Sequence, residues 1–198
     1  MKIYTKKGDG GSTTFYTGES VRKNDPRIEA VGTIDELNSL IGLAMSHAVT
    51  GENSQGVIGT EIKSTLERIQ HDLFTVGAEL TMLSAKQMPG NFKVPMITVQ
   101  HIVDVEQMID GVSEKLVEQK SFLLPGGTTL SAWLHFSRTV TRRAERDVVG
   151  LMEQIEVNPE VLRYLNRLSD LLYVLARYAN KEIVSEQQPM YKYFEGGL

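Results

Sequence analysis

In the stretch LHFSRTVTRRAERDVV, Arg138, Arg142 and Glu145 are spaced so that a helix carries all three on one face, with Arg143 and Arg146 flanking them. These arginines stand together with no lysine among them. A planar guanidinium fork matches phosphate or carboxylate and tolerates burial better than an ammonium group. The chemistry offered is anion binding. A solvated basic face laced with i,i+3 charge pairs fits the same spacing, and both readings stand at this point.

A second concentration of chemistry lies at the start of the chain, in TKKGDGGSTTFYTGESVRKNDPR (Thr5 to Arg27). Gly8, Gly10 and Gly11 let the backbone approach a ligand closely. Successive N–H groups in such a turn can form an anion nest. Thr5, Ser12, Thr13 and Thr14 add hydroxyls, and Lys6, Lys7 and Lys23 add charge. Together these suit a polyphosphate, although the P-loop pattern G-x-x-x-x-G-K-[ST] is absent. The alternative is a flexible N-terminal tail.

Two further stretches carry polar or aromatic groups in apolar surroundings. In RYLNRLSDLLYVLARYAN, Asn166 and Asp170 share a helical face, beside Arg163 and Arg167. A buried Asn or Asp needs a partner, so this is a structural network or a ligand site. In SFLLPGG, Phe122, Leu123 and Leu124 precede a proline–glycine turn, which fits a hydrophobic cap on the end of a helical bundle. His47, His71, His101 and His135 are scattered, and neither H-E-x-x-H nor E-x-x-H occurs. No protein-built metal cage is expected.

The elements that must position these groups read as five helices. The first is expected from Thr33, where TIDE has the form of a capping box between Thr33 and Glu36, followed by a stripe of Ile34, Leu37, Ile41, Ala44 and Met45. TGENSQG ends it. The second carries Ile58, Ile62, Leu66, Ile69, Leu73, Val76 and Leu80; a loop follows from about Lys86 to Pro95. The third starts near Thr98 and turns Ile102, Val105, Ile109, Val112 and Leu116 inward. The fourth spans about Thr128 to Ile155, with Trp133, Val140, Ala144, Val148 and Leu151 as its core stripe. The fifth opens at NPE, with Asn158 as cap and Pro159 in the first turn, and runs past Asn180. Similar lengths and modest loops predict an all-α, five-helix up-and-down bundle. KIYT is the one short strand expected.

The bulk numbers bound the rest. A chain of 198 residues, 41% hydrophobic and 23% charged, fits a single domain. Its expected parts are residues 1–30 as an N-terminal segment, 31–184 as the bundle and 185–198 as a C-terminal tail. The net charge of −4, with no basic block, argues against general nucleic-acid binding. Absence of cysteine removes disulfides and thiolate chemistry. No apolar run approaches the roughly 20 residues that span a bilayer. The start MKIYTKKGDG lacks the apolar core of a signal peptide, which makes the cytoplasm the expected location, with no membrane partner.

Taken in order, TKKGDGGSTT, EAVGTIDELNSLIG, FLLPGG, RRAERDVV and YLNRLSDLLYVLARYAN resemble the signature segments of the PduO-type ATP:cob(I)alamin adenosyltransferases. The resemblance runs from Ile3 to about Lys181 and departs at Gly10, where family members often carry lysine. It implies a homotrimer with active sites between subunits. It implies transfer of the 5′-deoxyadenosyl group of ATP to reduced cobalamin, with release of triphosphate and with Mg²⁺ accompanying ATP, near Glu145. The nucleotide contacts it implies are Thr5, Lys6, Lys7, Gly8, Thr13, Thr14, Lys23, Arg142, Arg143, Ala144, Glu145, Arg146 and Asn166. Phe122, with Leu123, matches the wall under the lower face of the corrin. Asp35 and Arg138 match an ion pair that crosses the subunit interface. A flavoprotein reductase and an adenosylcobalamin-dependent enzyme are the implied protein partners. A non-catalytic nucleotide or cobalamin sensor or delivery protein would use the same pockets, and a purely structural bundle would use none.

Overall fold

The computed structural model describes residues 2–15, 17–50, 56–82, 94–181 and 183–189. The loops expected at 51–55 and 86–93, and residues 190–198 of the expected tail, lie outside these. Five helices dominate: α1 (Pro26–Thr50), α2 (Val57–Thr81), α3 (Val99–Ser113), α4 (Thr129–Met152) and α5 (Pro159–Asn180). A two-stranded antiparallel hairpin precedes them, β1 (Ser12–Thr14) and β2 (Ser20–Arg22), with Thr13 opposite Val21.

The helices alternate in direction, as cross-helix contacts show. Glu36 pairs with Arg143 and His47 stacks near Trp133, so α1 and α4 are antiparallel. Glu145 meets Asn166, and His135 lies beside Tyr173, so α4 and α5 are antiparallel too. The main packing partners are α4 with α5, α1 with α4, α1 with α2, and α3 with α5. Each helix contributes a stripe to one core: Leu37 and Ile41, Leu66 and Ile69, Val105, Leu134 and Ala144, Leu165 and Leu172. Burial of these stripes, not helix propensity, makes helices of this length stable.

Three expectations change. α1 begins at Pro26, not Thr33: Asp25 caps it by accepting from the Arg27 N–H at 2.9 Å, and Pro26 sits in the first turn. Thr33 is inside the helix and buried; its Oγ1 donates to Asp147 Oδ2 at 2.7 Å. Glu36 makes no capping box and instead pairs with Arg143. A Thr-x-x-Glu spacing mimics a helix start wherever both residues fall on one helical face, and the true start signal, DP, lies upstream. KIYT forms no strand; the pairing strands are the hydroxyl-rich STT and SVR. α5 ends at Asn180, whose side chain is committed elsewhere, rather than running past it.

The start of α5 matches expectation. Asn158 accepts from the Glu160 N–H at 3.1 Å, and its Nδ2 donates to the Ile97 carbonyl at 2.9 Å, tying the start of α5 to the start of α3. α3 starts where the sequence places it, with Thr98 as its N-cap residue.

Candidate functional site

The N-terminal segment is a folded hairpin rather than a loose tail. Arg27 is its anchor: the guanidinium donates to Glu19 Oε1 at 2.9 Å and Oε2 at 3.0 Å, and to Asp25 Oδ2 at 3.0 Å. The same group lies 4.7 Å from the centre of the Phe15 ring, which is buried. These partners raise the arginine's proton affinity, and the Arg27 hydrogen bond holds the Asp25 carboxyl below its ordinary range. Sequence reading missed Phe15 and Arg27, although a lone arginine behind DP was visible.

With the hairpin anchored, its glycine-rich turn closes on a hollow of about 230 Å³ lined by Thr5, Lys7, Gly8, Ser12, Thr13, Thr14 and Ser20. Lys23 folds back over Gly8; a Cβ there would sit 3.1 Å from Lys23 Nζ, so glycine gives the lysine room. The Lys23 N–H donates to the Gly11 carbonyl at 2.9 Å. Lys6 adopts a positive φ of 60°, a conformation that non-glycine residues rarely hold. Thus Thr5, Lys6, Lys7, Gly8, Thr13, Thr14 and Lys23 are brought together in one loop-and-hairpin unit.

The arginine face of α4 divides. Arg143 is tied to Glu36 of α1. Arg146 Nη1 donates to the Arg142 carbonyl at 3.0 Å, while Arg142 itself is exposed. Ala144 is fully buried in the core, so its side chain does not reach this face. Glu145 accepts from Asn166 Nδ2 at 2.9 Å, which joins α4 to α5. Among the described residues no group of three His, Asp or Glu side chains could hold a metal ion. Because α1 runs antiparallel to α4, the hairpin lies at the end of the bundle where the C-terminal half of α4 lies.

Phe122 lies at the other end. It is 76% exposed and caps nothing, which removes the hydrophobic-cap reading of SFLLPGG. The turn behind it is built on Asn180: Oδ1 accepts from the Thr128 N–H at 2.9 Å, and Nδ2 donates to the Gly126 carbonyl at 2.9 Å. Gly127 has φ +106°, and a Cβ there would fall 2.2 Å from Asn180 Oδ1. The Leu124 N–H donates to the Gln187 carbonyl at 2.8 Å, and Arg177 holds Glu186 at 2.8 Å. The expected tail is therefore docked on this loop at residues 186 and 187. Leu123, Gly126, His135, Asn180 and Glu186 share a cavity of about 120 Å³.

His135 Nδ1 is buried without a hydrogen-bond partner, as is Arg138 Nε one turn further along α4. Burial, then the nearby Arg138 charge, depress the His135 pKa from 6.5 to about 4, against a smaller opposing pull from Glu186. The ring is neutral near pH 7. Asp35 is exposed on α1 beside a hollow of about 460 Å³ between α1 and α2 that also bears Asn38 and Phe74. Asp35 and Arg138 make no ion pair within the chain.

This five-helix bundle, with a glycine- and hydroxyl-rich hairpin hollow and an arginine-bearing fourth helix, offers groups suited to anion binding. The family model described as cobalamin adenosyltransferase matches residues 3–179. The corrinoid adenosyltransferase of Bacillus subtilis is 42% identical over 181 residues, covering 91% of this chain and 87% of that protein. The human corrinoid adenosyltransferase is 42% identical, covering 90% of this chain and 68% of its own length. A variant PduO-type ATP:corrinoid adenosyltransferase from Lactobacillus reuteri, complexed with cobalamin and ATP, superposes with a TM-score of 0.78 at 39% identity, covering 90% of this chain and 91% of that one. The chain belongs to the cobalamin adenosyltransferase family, in its PduO-type branch.

Proposed function

We propose that this protein transfers the 5′-deoxyadenosyl group of ATP to the cobalt of cob(I)alamin, giving adenosylcobalamin and triphosphate. The observation that carries this reading is the anchored hairpin, whose hollow is lined by backbone, hydroxyls and Lys7, with Lys23 folded over Gly8. That lining suits a polyphosphate.

The reaction needs no protein nucleophile, because reduced cobalt is itself one. A Co–C bond forms at the ribose C5′ as the C5′–O bond breaks, and the electron pair leaves with triphosphate. Negative charge on the leaving oxygen grows in the transition state, so the groups that face it contribute more there than in the ground state. Arg142, exposed on the arginine face, takes this role, with Lys23 and the likewise exposed Arg146. Mg²⁺ bound to the triphosphate supplies further charge neutralisation. Among the described residues no carboxylate cluster would hold the ion, so it would be carried by the nucleotide, with Glu145 on the arginine face available to its bound water. Glu145 orients Asn166 and does not act as a general base.

Phe122, with Leu123, forms an apolar wall that keeps a lower axial ligand off cobalt, which eases reduction of cob(II)alamin. Within one chain the hairpin and Phe122 lie toward opposite ends of α4, a helix that rises about 36 Å. This separation supports a homotrimer in which one subunit's hairpin meets its neighbour's Phe122 loop. The unsatisfied Arg138 Nε and the exposed Asp35 fit as the two halves of a contact across that interface. A reductase would supply the electron for cobalt, and an adenosylcobalamin-dependent enzyme would take the product.

The test is anaerobic incubation with ATP and chemically reduced cobalamin, followed by absorbance and by triphosphate analysis. Adenosylcobalamin and triphosphate in equal amounts are expected. Tight binding of both ligands without product would make the protein a sensor or carrier instead.

A further inference from the structure

The amide of Asn166 could sit either way round, presenting its oxygen or its nitrogen to the arginine face. Its neighbours remove that freedom. Arg167 Nη1 lies 2.9 Å from Asn166 Oδ1, and a guanidinium has only donors, so the atom it meets must be the carbonyl oxygen. On the other side, Asn166 Nδ2 lies 2.9 Å from Glu145 Oε1, and a carboxylate only accepts. Arg167 is fixed in turn by Glu106 of α3, through Nε to Oε1 at 2.8 Å. The relay Glu106–Arg167–Asn166–Glu145 thus runs through three helices and allows one amide orientation.

The ion pair in this relay is not there for stability. Both side chains are over two-fifths exposed, Arg167 at 41% and Glu106 at 44%, and exposed pairs contribute little to folding. Orientation is what it provides. One amide hydrogen is taken by Glu145, and the second remains for a ligand. We propose that Glu106 and Arg167 are positioning residues that lock Asn166 as a hydrogen-bond donor, so that the nucleotide site reads an acceptor atom, a ring nitrogen or ribose oxygen of a purine nucleoside triphosphate. This rests on the nucleotide site argued above. An amide already held in its bound orientation pays no ordering entropy when the ligand arrives.

Five variants test the relay in steady-state adenosyl transfer with ATP varied: Asn166→Ala, Arg167→Met, Arg167→Lys, Glu106→Gln and the Asn166→Ala/Arg167→Met double. Asn166→Ala should raise KM for ATP about tenfold. Arg167→Met should raise it about fivefold with kcat within twofold, because a contact equal in ground and transition states acts on KM. In the double variant the Arg167 change should add nothing. Arg167→Lys, which keeps a donor to the Asn166 oxygen, should recover most of the loss. If thermal denaturation shows Arg167→Met to be poorly folded, Glu106→Gln carries the same KM test without loss of volume. Effects of Asn166→Ala and Arg167→Met that multiply, or an Arg167→Met variant with parental KM beside an impaired Asn166→Ala, would overturn the relay and leave the nucleotide site intact. An unaffected Asn166→Ala would remove Asn166 from the site and the relay with it. Whether cob(I)alamin is adenosylated at saturating ATP tests the function separately.

Discussion

Gly127→Ala is a small change with a large calculable effect. The added Cβ would lie 2.2 Å from Asn180 Oδ1, 2.4 Å from Nδ2 and 2.5 Å from Cγ, too close for all three. It would also hold an alanine at φ +106°, at a strain of roughly 1–3 kcal/mol. Asn180 must then swing away. Its departure leaves the Thr128 N–H without its acceptor and the Gly126 carbonyl without one donor. Thr128 is buried, so the stranded N–H adds about 1–3 kcal/mol. The sum is about 2–6 kcal/mol, a large share of the ~5–15 kcal/mol typical of a folded domain. For a chain of this size each kcal/mol moves Tm by ~2–4 °C, so a fall of roughly 4–24 °C is expected.

Thermal and urea unfolding of parent, Gly127→Ala, Asn180→Ala and the double variant measure this at one fixed protein concentration, since any subunit association would otherwise shift Tm. With the amide removed, the added methyl meets no clash, so the double variant should be more stable than the sum of the singles by about 2 kcal/mol. The turn carries Phe122, so reduction of bound cob(II)alamin should suffer more than ATP binding. A Gly127→Ala variant within 1 kcal/mol of the parent, or singles that simply add, would refute the geometry.

Arg142→Lys should lower kcat/KM about a hundredfold, equivalent to ~3 kcal/mol, because an ammonium cannot reproduce the guanidinium fork on a growing triphosphate charge; near-parental kcat/KM would remove Arg142 from that role. Phe122→Ala should reduce the four-coordinate fraction of bound cob(II)alamin while sparing adenosylation of preformed cob(I)alamin, and an unchanged fraction by electron paramagnetic resonance would refute the apolar wall. His135 should make stability fall as pH drops from 6.5 toward 4: there the unfolded chain takes up a proton that the buried ring refuses. The loss is on the order of 2 kcal/mol after allowing for partial solvent screening; urea unfolding at both ends of this window should show it in the parent and not in His135→Gln. Asp35→Arg and Arg138→Asp should each abolish activity and the trimer, with partial recovery of both in the double swap, as read by sedimentation and product formation; a fully active monomer would show that the two residues do not meet across subunits.

The helices were legible because their signal is periodic and repeated. Ile62, Leu66, Ile69, Leu73, Val76 and Leu80 recur on one face of α2 and are all buried, and no single residue decides such a pattern. The start of α1 was misread because one local cue, Thr33 with Glu36, outweighed a better one, Asp25 before Pro26. The helix continues upstream of Thr33 because Ala30 extends the core stripe, and the Thr33 hydroxyl, instead of capping, is satisfied by Asp147 in α4. Only the partner helix reveals that use. The hairpin escaped notice for a related reason: STT and SVR are too short and polar to show alternation, and what holds them is Arg27 packed on Phe15.

The candidate site divides along the same line between composition and contact. Glycines, hydroxyls and arginines announce anion chemistry by type alone, so Gly8, Thr13, Lys23 and Arg142 could be named from the sequence. The residues that aim them could not. Arg167 and Glu106 are separated by a linker and the whole of α4, and either reads as one more surface charge until packing of α3 on α5 brings them within 2.8 Å. Asn180 looks like a helix terminator, yet it is the scaffold of the turn behind Phe122. Ala144 sits within the arginine run, and its side chain belongs to the core. A helix presents its residues in every direction, so neighbours in sequence divide between core and ligand. Arg142 and Phe122 are both exposed in one chain, Arg142 midway along α4 and Phe122 before its start. If the hairpin holds the triphosphate and Phe122 walls the corrin, as proposed, one copy keeps them toward opposite ends of α4, and the proposed trimer would bring one copy's hairpin to its neighbour's Phe122.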